Sequence, residues 1–109
     1  MRCRGIANGR QVVPGWWIDD ILSSGDPEAW AKSDMNALLP NGRYRSKWYL
    51  TGNTHGAFFA FGIHGQWIYI DPPAGMVIAK QSSWPDPLND AWERLHLAGF
   101  DAIARAFSK

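Results

Sequence analysis

The side chains best suited to chemistry in this sequence are His55, His64 and His96, the single cysteine Cys3, and serines at positions 23, 24, 33, 46, 82, 83 and 108. The histidine spacings fit no compact zinc pattern, and Cys3 is far from all of them in sequence, so no metal or cofactor is expected. A Ser-His-Asp constellation is recognised by geometry, not by order, so these residue types alone select no nucleophile. Gly62-Ile63-His64-Gly65-Gln66 says more. An apolar run, Ala57 to Ile63, leads directly into this small, polar pentapeptide, and a strand-like pattern then resumes. Glycine inside a strand often marks a close approach by a backbone or a ligand. The competing reading is a β-bulge with a hydrogen-bonded histidine at the sheet edge. Spacing alone leaves the two level.

The elements that would position this pentapeptide follow from hydrophobic period. Lys47 to Thr51 reads as a short aromatic strand, and Ala57 to Ile63 as a strand buried on both faces. Gln66 to Ile70 alternates, and Met76 to Lys80 is rich in β-formers. Gly52 to Gly56, His64-Gly65 and Asp71 to Gly75 separate them with short turns, which predicts an antiparallel meander. Upstream, Asn8-Gly9 is a turn signal, and Pro14 opens a helical pattern ending near Leu22. A second short helix is expected over Pro27 to Lys32, then a loop over 33–43. Downstream, Ser82 to Pro87 is a proline-stiffened loop. Asn89 or Asp90 caps a helix running to about Phe107, whose apolar stripe reads Trp92, Leu95, Phe100, Ile103 and Phe107. Residues 1–42 are thus a helical and loop lead-in, 43–81 antiparallel strands, and 88–107 a C-terminal helix. The fold class is α+β: a sheet of three to four strands with the helix packed on one face.

The 109 residues suit one domain, and 46% apolar against 19% charged residues is a globular composition. A net charge of +1 gives no footprint for nucleic acid or an anionic membrane. No apolar run is long enough to span a bilayer, and no apolar stretch follows the N-terminal charges, so the default expectation is a cytoplasmic protein. Seven tryptophans are the oddest bulk feature; core packing is their expected role.

Tyr-Leu-Thr-Gly-Asn (49–53), Gly-Ile-His-Gly-Gln (62–66), Asp71-Pro72 and Ser-Ser-Trp-Pro-Asp-Pro (82–87) occur in this order. The series resembles the C-terminal part of β-lactamase-related serine hydrolases of the 6-aminohexanoate-dimer hydrolase and esterase type. The likeness runs over nearly the whole chain and is closest over residues 43–95. It implies part of a β-lactamase/transpeptidase-like fold. In that family a Ser of Ser-x-x-Lys attacks an amide or ester carbonyl, assisted by the Lys and a Tyr. The strand bordering the site supplies a backbone N–H to the oxyanion hole. By resemblance Ile63 is the oxyanion donor, and Tyr49, Gly62, His64 and Gln66 contact substrate.

The sequence departs from that pattern at its centre. No serine has a lysine three positions on, and Tyr44, Tyr49 and Tyr69 are followed two on by Ser, Thr and Asp, so no Tyr-x-Asn occurs. The expectation is a truncated form that holds one wall of an active site. It would take a small amide or ester substrate only together with a missing N-terminal part, and would be inactive alone. One alternative is a non-catalytic binding or interaction module on the same fold. Another is a small hydrolase using His64 or His55 with a serine. Strands missing from the sheet would leave an edge open to self-association.

Overall fold

Asn8 and Gly9 both take positive φ, 52° and 75°, which lets a two-residue turn join β1 (Ile6–Ala7) to β2 (Arg10–Gln11). This small hairpin stands apart from the main sheet. The computed structural model describes residues 1–108. Pro14 caps helix α1 (Gly15–Ser23), which buries Ile18 and Ile21. Asp26 caps the short α2 (Pro27–Ala31) by accepting the Glu28 N–H at 2.9 Å, and a 3-10 turn at Asp34–Asn36 follows.

The main sheet has five antiparallel strands in sequence order: β3 (Arg43–Arg45), β4 (Trp48–Leu50), β5 (Phe58–Gly62), β6 (Gln66–Asp71) and β7 (Met76–Lys80). The meander is as expected, with one strand more than the three to four read from the sequence. The extra strand, β3, carries no strand signal because Arg43-Tyr44-Arg45 is short and charged. Its turn, Ser46-Lys47, adopts positive φ at two residues that rarely do so.

Register assigns the faces, because directly paired residues point the same way. Phe59 pairs with Tyr69, which pairs with Ile78; Phe61 pairs with Trp67, which pairs with Lys80. Helix α3 (Asp90–Phe107) covers this face. The core there comprises Ala57, Phe59, Trp67, Tyr69, Trp84, Leu97 and Phe100. On the opposite face Phe58 and Ile70 pair and are also buried. There Arg45 reaches Asp20 of α1 at 2.8 Å, tying the lead-in to β3.

Helix α3 starts where expected, with Asn89 accepting the Trp92 N–H at 3.0 Å. The face it buries is different. Trp92, Leu95, Ile103 and Phe107 are exposed, Leu95 by 67%, and of the expected stripe only Phe100 is buried. The buried positions are Glu93, Leu97, Phe100 and Ala104. Their spacings of four, three and four follow the 3.6-residue period, whereas the stripe of largest apolar residues drifts off it. The sheet supplies the bulk through Trp67 and Tyr69, whose rings both meet Phe100 of the helix. The tryptophans divide likewise: Trp30, Trp67 and Trp84 are buried, while Trp16 and Trp92 are exposed.

Candidate functional site

Strand β5 was expected to be buried along its length, and only its first half is. β4 pairs with it at Phe58 and Phe59 alone, whereas β6 accompanies it through Gly62. Ala60 to Gly62 therefore have a neighbour on one side only, and Ile63 just beyond is 61% exposed. A cavity of about 670 Å³ opens beside this stretch. Tyr49 of β4 and Phe61, Gly62 and Ile63 form one wall. Asp34, Met35 and Leu38 of the lead-in form another, and Leu88, Asp90, Glu93 and Arg94 close it from the start of α3.

Three residues expected at the site, Tyr49, Gly62 and Ile63, thus share one cavity. The other two do not line it, although Gln66 shares a neighbouring cavity with Tyr49 and Gly62. His64, in the β5–β6 turn at φ 61°, donates its backbone N–H to Pro87 O at 2.9 Å, and its own carbonyl accepts from Trp84 N at 3.2 Å. Its Nδ1–H donates to Trp84 O at 2.8 Å. Gln66 donates through Nε2 to Ser82 O at 2.6 Å. Gly65, at φ 81°, faces the Trp84 ring so closely that a Cβ there would lie 2.4 Å from it. His64 and Gln66 therefore hold the 82–87 loop against the turn. The two most specific motifs in the sequence, Gly62 to Gln66 and Ser82 to Pro87, are one interlocked unit in space. His55 also has a scaffold partner: its Nδ1 lies 2.8 Å from the fully buried carboxylate of Asp71, which also accepts the Ala74 N–H at 3.0 Å. Among the described residues no serine hydroxyl hydrogen-bonds His55 or His64, so neither forms a Ser-His pair.

Glu93 was missed by reading the sequence. Only 3% of it is exposed, it lines the cavity, and among the described residues no cation lies within ion-pair distance of it. Burial pushes its carboxyl above the usual 4.5, and the neighbouring Asp90 carboxylate adds to the rise. Tyr49 is stacked on Phe59 with ring centroids 5.2 Å apart. Burial raises its phenol too, with smaller contributions from Tyr44 and Glu93. The signal that could have found Glu93 is the period of α3: position 93 begins the row continued by 97, 100 and 104. Among the described residues no cluster of three His, Cys, Asp or Glu is placed to hold a metal ion. No helix among them is long and apolar enough to cross a membrane.

No family model matches the chain. It is 37% identical over 102 residues to the 6-aminohexanoate-dimer hydrolase of Paenarthrobacter ureafaciens, a match covering 94% of this chain and 26% of that protein. A solved structure from Bacillus anthracis, provisionally named a 6-aminohexanoate-dimer hydrolase, superimposes with a TM-score of 0.71 at 31% identity. That match covers 96% of this chain and 26% of the other. The resemblance to 6-aminohexanoate-dimer hydrolases holds in both sequence and fold. The chain spans about a quarter of the length of these relatives. The α+β architecture is that of the matching portion of such a hydrolase, and the interlocked motifs and the cavity beside them lie inside the shared span.

Proposed function

We propose that this chain is the C-terminal, oxyanion-side part of a serine hydrolase acting on amide or ester bonds. The observation that carries the reading is the convergence of Tyr49, Gly62 and Ile63 on one cavity, at the point where β5 loses its β4 neighbour. In this reading a carbonyl lies against the open end of β5. The Ile63 N–H donates to the oxygen as negative charge develops on it, which favours the transition state over the bound substrate. Tyr49 and Phe61 supply an apolar wall that excludes water and so strengthens that hydrogen bond. His64 and Gln66 act at one remove, fixing the turn that aims Ile63. Ser-x-x-Lys does not occur in residues 1–109, so the nucleophile and its base would come from polypeptide outside them, and the chain by itself would not turn over substrate.

A chimera tests this. The matching segment of the Paenarthrobacter hydrolase is replaced by residues 1–109, and hydrolysis of a linear amide or p-nitrophenyl ester is measured. The chimera is expected to be active and the isolated chain inert. Ile63→Pro, which deletes the N–H, should lower kcat about 100- to 1000-fold, the usual cost of one oxyanion donor, with the circular dichroism unchanged. Full activity in a folded Ile63→Pro chimera would remove Ile63 from the mechanism. Turnover by the isolated chain, lost on replacing one of its own serines by Ala, would overturn the whole reading.

A further inference from the structure

We propose that the groove between the end of β7 and the first turns of α3 binds a small amphipathic carboxylate, with the headgroup at Lys80 and Ser82 and the apolar body on Trp84, Trp92 and Leu95. This groove, of about 430 Å³, shares no lining residue with the cavity described above. Lys80 is paired with Trp67 and so projects toward α3. Its ammonium donates to Ser82 Oγ at 2.8 Å and to His96 Nε2 at 2.7 Å. The direction of the second bond follows from the other ring nitrogen. His96 Nδ1 lies 2.7 Å from the Trp92 carbonyl oxygen, which can only accept, so Nδ1 carries the proton and Nε2 of the neutral ring offers its lone pair.

The charge on Lys80 is therefore met by two neutral acceptors, and among the described residues no carboxylate lies within ion-pair distance of it. One ammonium hydrogen remains unassigned. The Ser82 hydroxyl accepts from Lys80 and gives its own hydrogen to no group among the described residues. A half-buried cation beside a free hydroxyl, with no counter-charge, is a site that one anionic group would complete through charge-assisted hydrogen bonds. A single positive charge and two donor groups 2.8 Å apart match a carboxylate's single charge and two oxygens. Apart from Ser83 and His96, the rest of the groove is apolar: Trp84 and Trp92 meet edge to face at 5.4 Å, and Leu95 extends the wall into solvent. A few placed polar groups at one end of an apolar groove are the usual make-up of a small-molecule site.

The test titrates the 109-residue chain with 3-phenylpropionate, 3-phenylpropanol and 3-phenylpropylamine, following the tryptophan indole N–H signals by NMR. The acid should shift the Trp84 and Trp92 signals saturably and bind about tenfold or more tighter than the alcohol, as one charge-assisted contact implies. The amine should bind weakest. Lys80→Met should remove the acid's advantage and leave the alcohol unchanged. If that variant loses its folded circular dichroism, Ser82→Ala serves instead and should weaken the acid alone. Equal binding of acid and alcohol by the parent chain would overturn the proposal, as would a folded Lys80→Met or Ser82→Ala that binds the acid undiminished.

Discussion

The two ends of β5 are written in the same apolar alphabet and are held in different ways. At Phe58 and Phe59 the strand has β4 on one side and β6 on the other, and both side chains are buried. About four residues on, or roughly 13 Å at strand rise, Ile63 stands largely in solvent beside a cavity. One end closes the core and the other borders an opening. Ile63 lines that opening together with Tyr49 and Gly62. The sharpest test of this division is Phe59→Ala against Ile63→Ala in chemical denaturation. Phe59→Ala should cost about 3–5 kcal/mol, as for a buried phenylalanine, and Ile63→Ala no more than about 0.5 kcal/mol, as for an exposed position. Equal costs would erase the distinction.

Helix α3 repeats the contrast within one element. Leu97 is packed in the core and Leu95, two residues earlier, is exposed. Leu97→Ala should cost about 2–5 kcal/mol, while Leu95→Ala should stay within about 0.5 kcal/mol. The reverse order would mean that the helix packs by its bulkiest stripe after all. Gly65 lies in the β5–β6 turn, against the 82–87 loop. Gly65→Ala would force a left-handed residue to carry a Cβ and drive it into the Trp84 ring. The expected cost is about 2–4 kcal/mol from overpacking and backbone strain together. The Trp84 indole N–H signal should move in the NMR spectrum even where the variant still folds. A neutral substitution would show that the turn and the 82–87 loop are not locked together.

What was legible in the sequence was periodic or punctuated. The meander from 47 to 80 is a series of short aromatic, apolar, alternating and β-branched runs broken by glycine and proline, so its strands are legible, and the Asn89 cap places the start of α3. β3 was not legible, because its turn is Ser46-Lys47 where Asn-Gly would have announced it. The buried face of α3 follows the 3.6-residue period through Glu93, Leu97, Phe100 and Ala104, and the largest apolar side chains do not mark it. Of the candidate site, Tyr49, Gly62 and Ile63 were found through the resemblance and share a cavity. His64 and Gln66 carry the motif without lining it, since a motif records which residues recur together and not which way they face. Glu93 was invisible because a glutamate in a helix reads as solvent-facing until its neighbours are known.

Glu93 offers the gentlest test of whether the open end of β5 is built for something other than stability. Its carboxyl is buried at the cavity wall, and burial and Asp90 hold it above its ordinary value of 4.5. In the unfolded chain the same group ionises freely through that value. A carboxyl raised in the folded state makes folding favour the protonated form. The native state is thus unpenalised at pH below 4.5 and loses stability as pH rises through the unfolded value and up to the folded one, after which the loss is constant. This is opposite in sign to an ion-paired carboxylate. Glu93→Gln keeps the shape and an acceptor for the backbone while removing the charge. It should raise the thermal midpoint by a few degrees at pH 7, and the gain should shrink to nothing as pH is lowered past 4.5. The change is smaller than those at Phe59, Leu97 or Gly65, and it is the only one expected to stabilise. A gain that persists at low pH would trace to packing, not to charge. No gain at pH 7 would mean that water or Arg94 compensates the carboxylate at the cavity wall, and the open end would then carry no electrostatic cost that a function must explain.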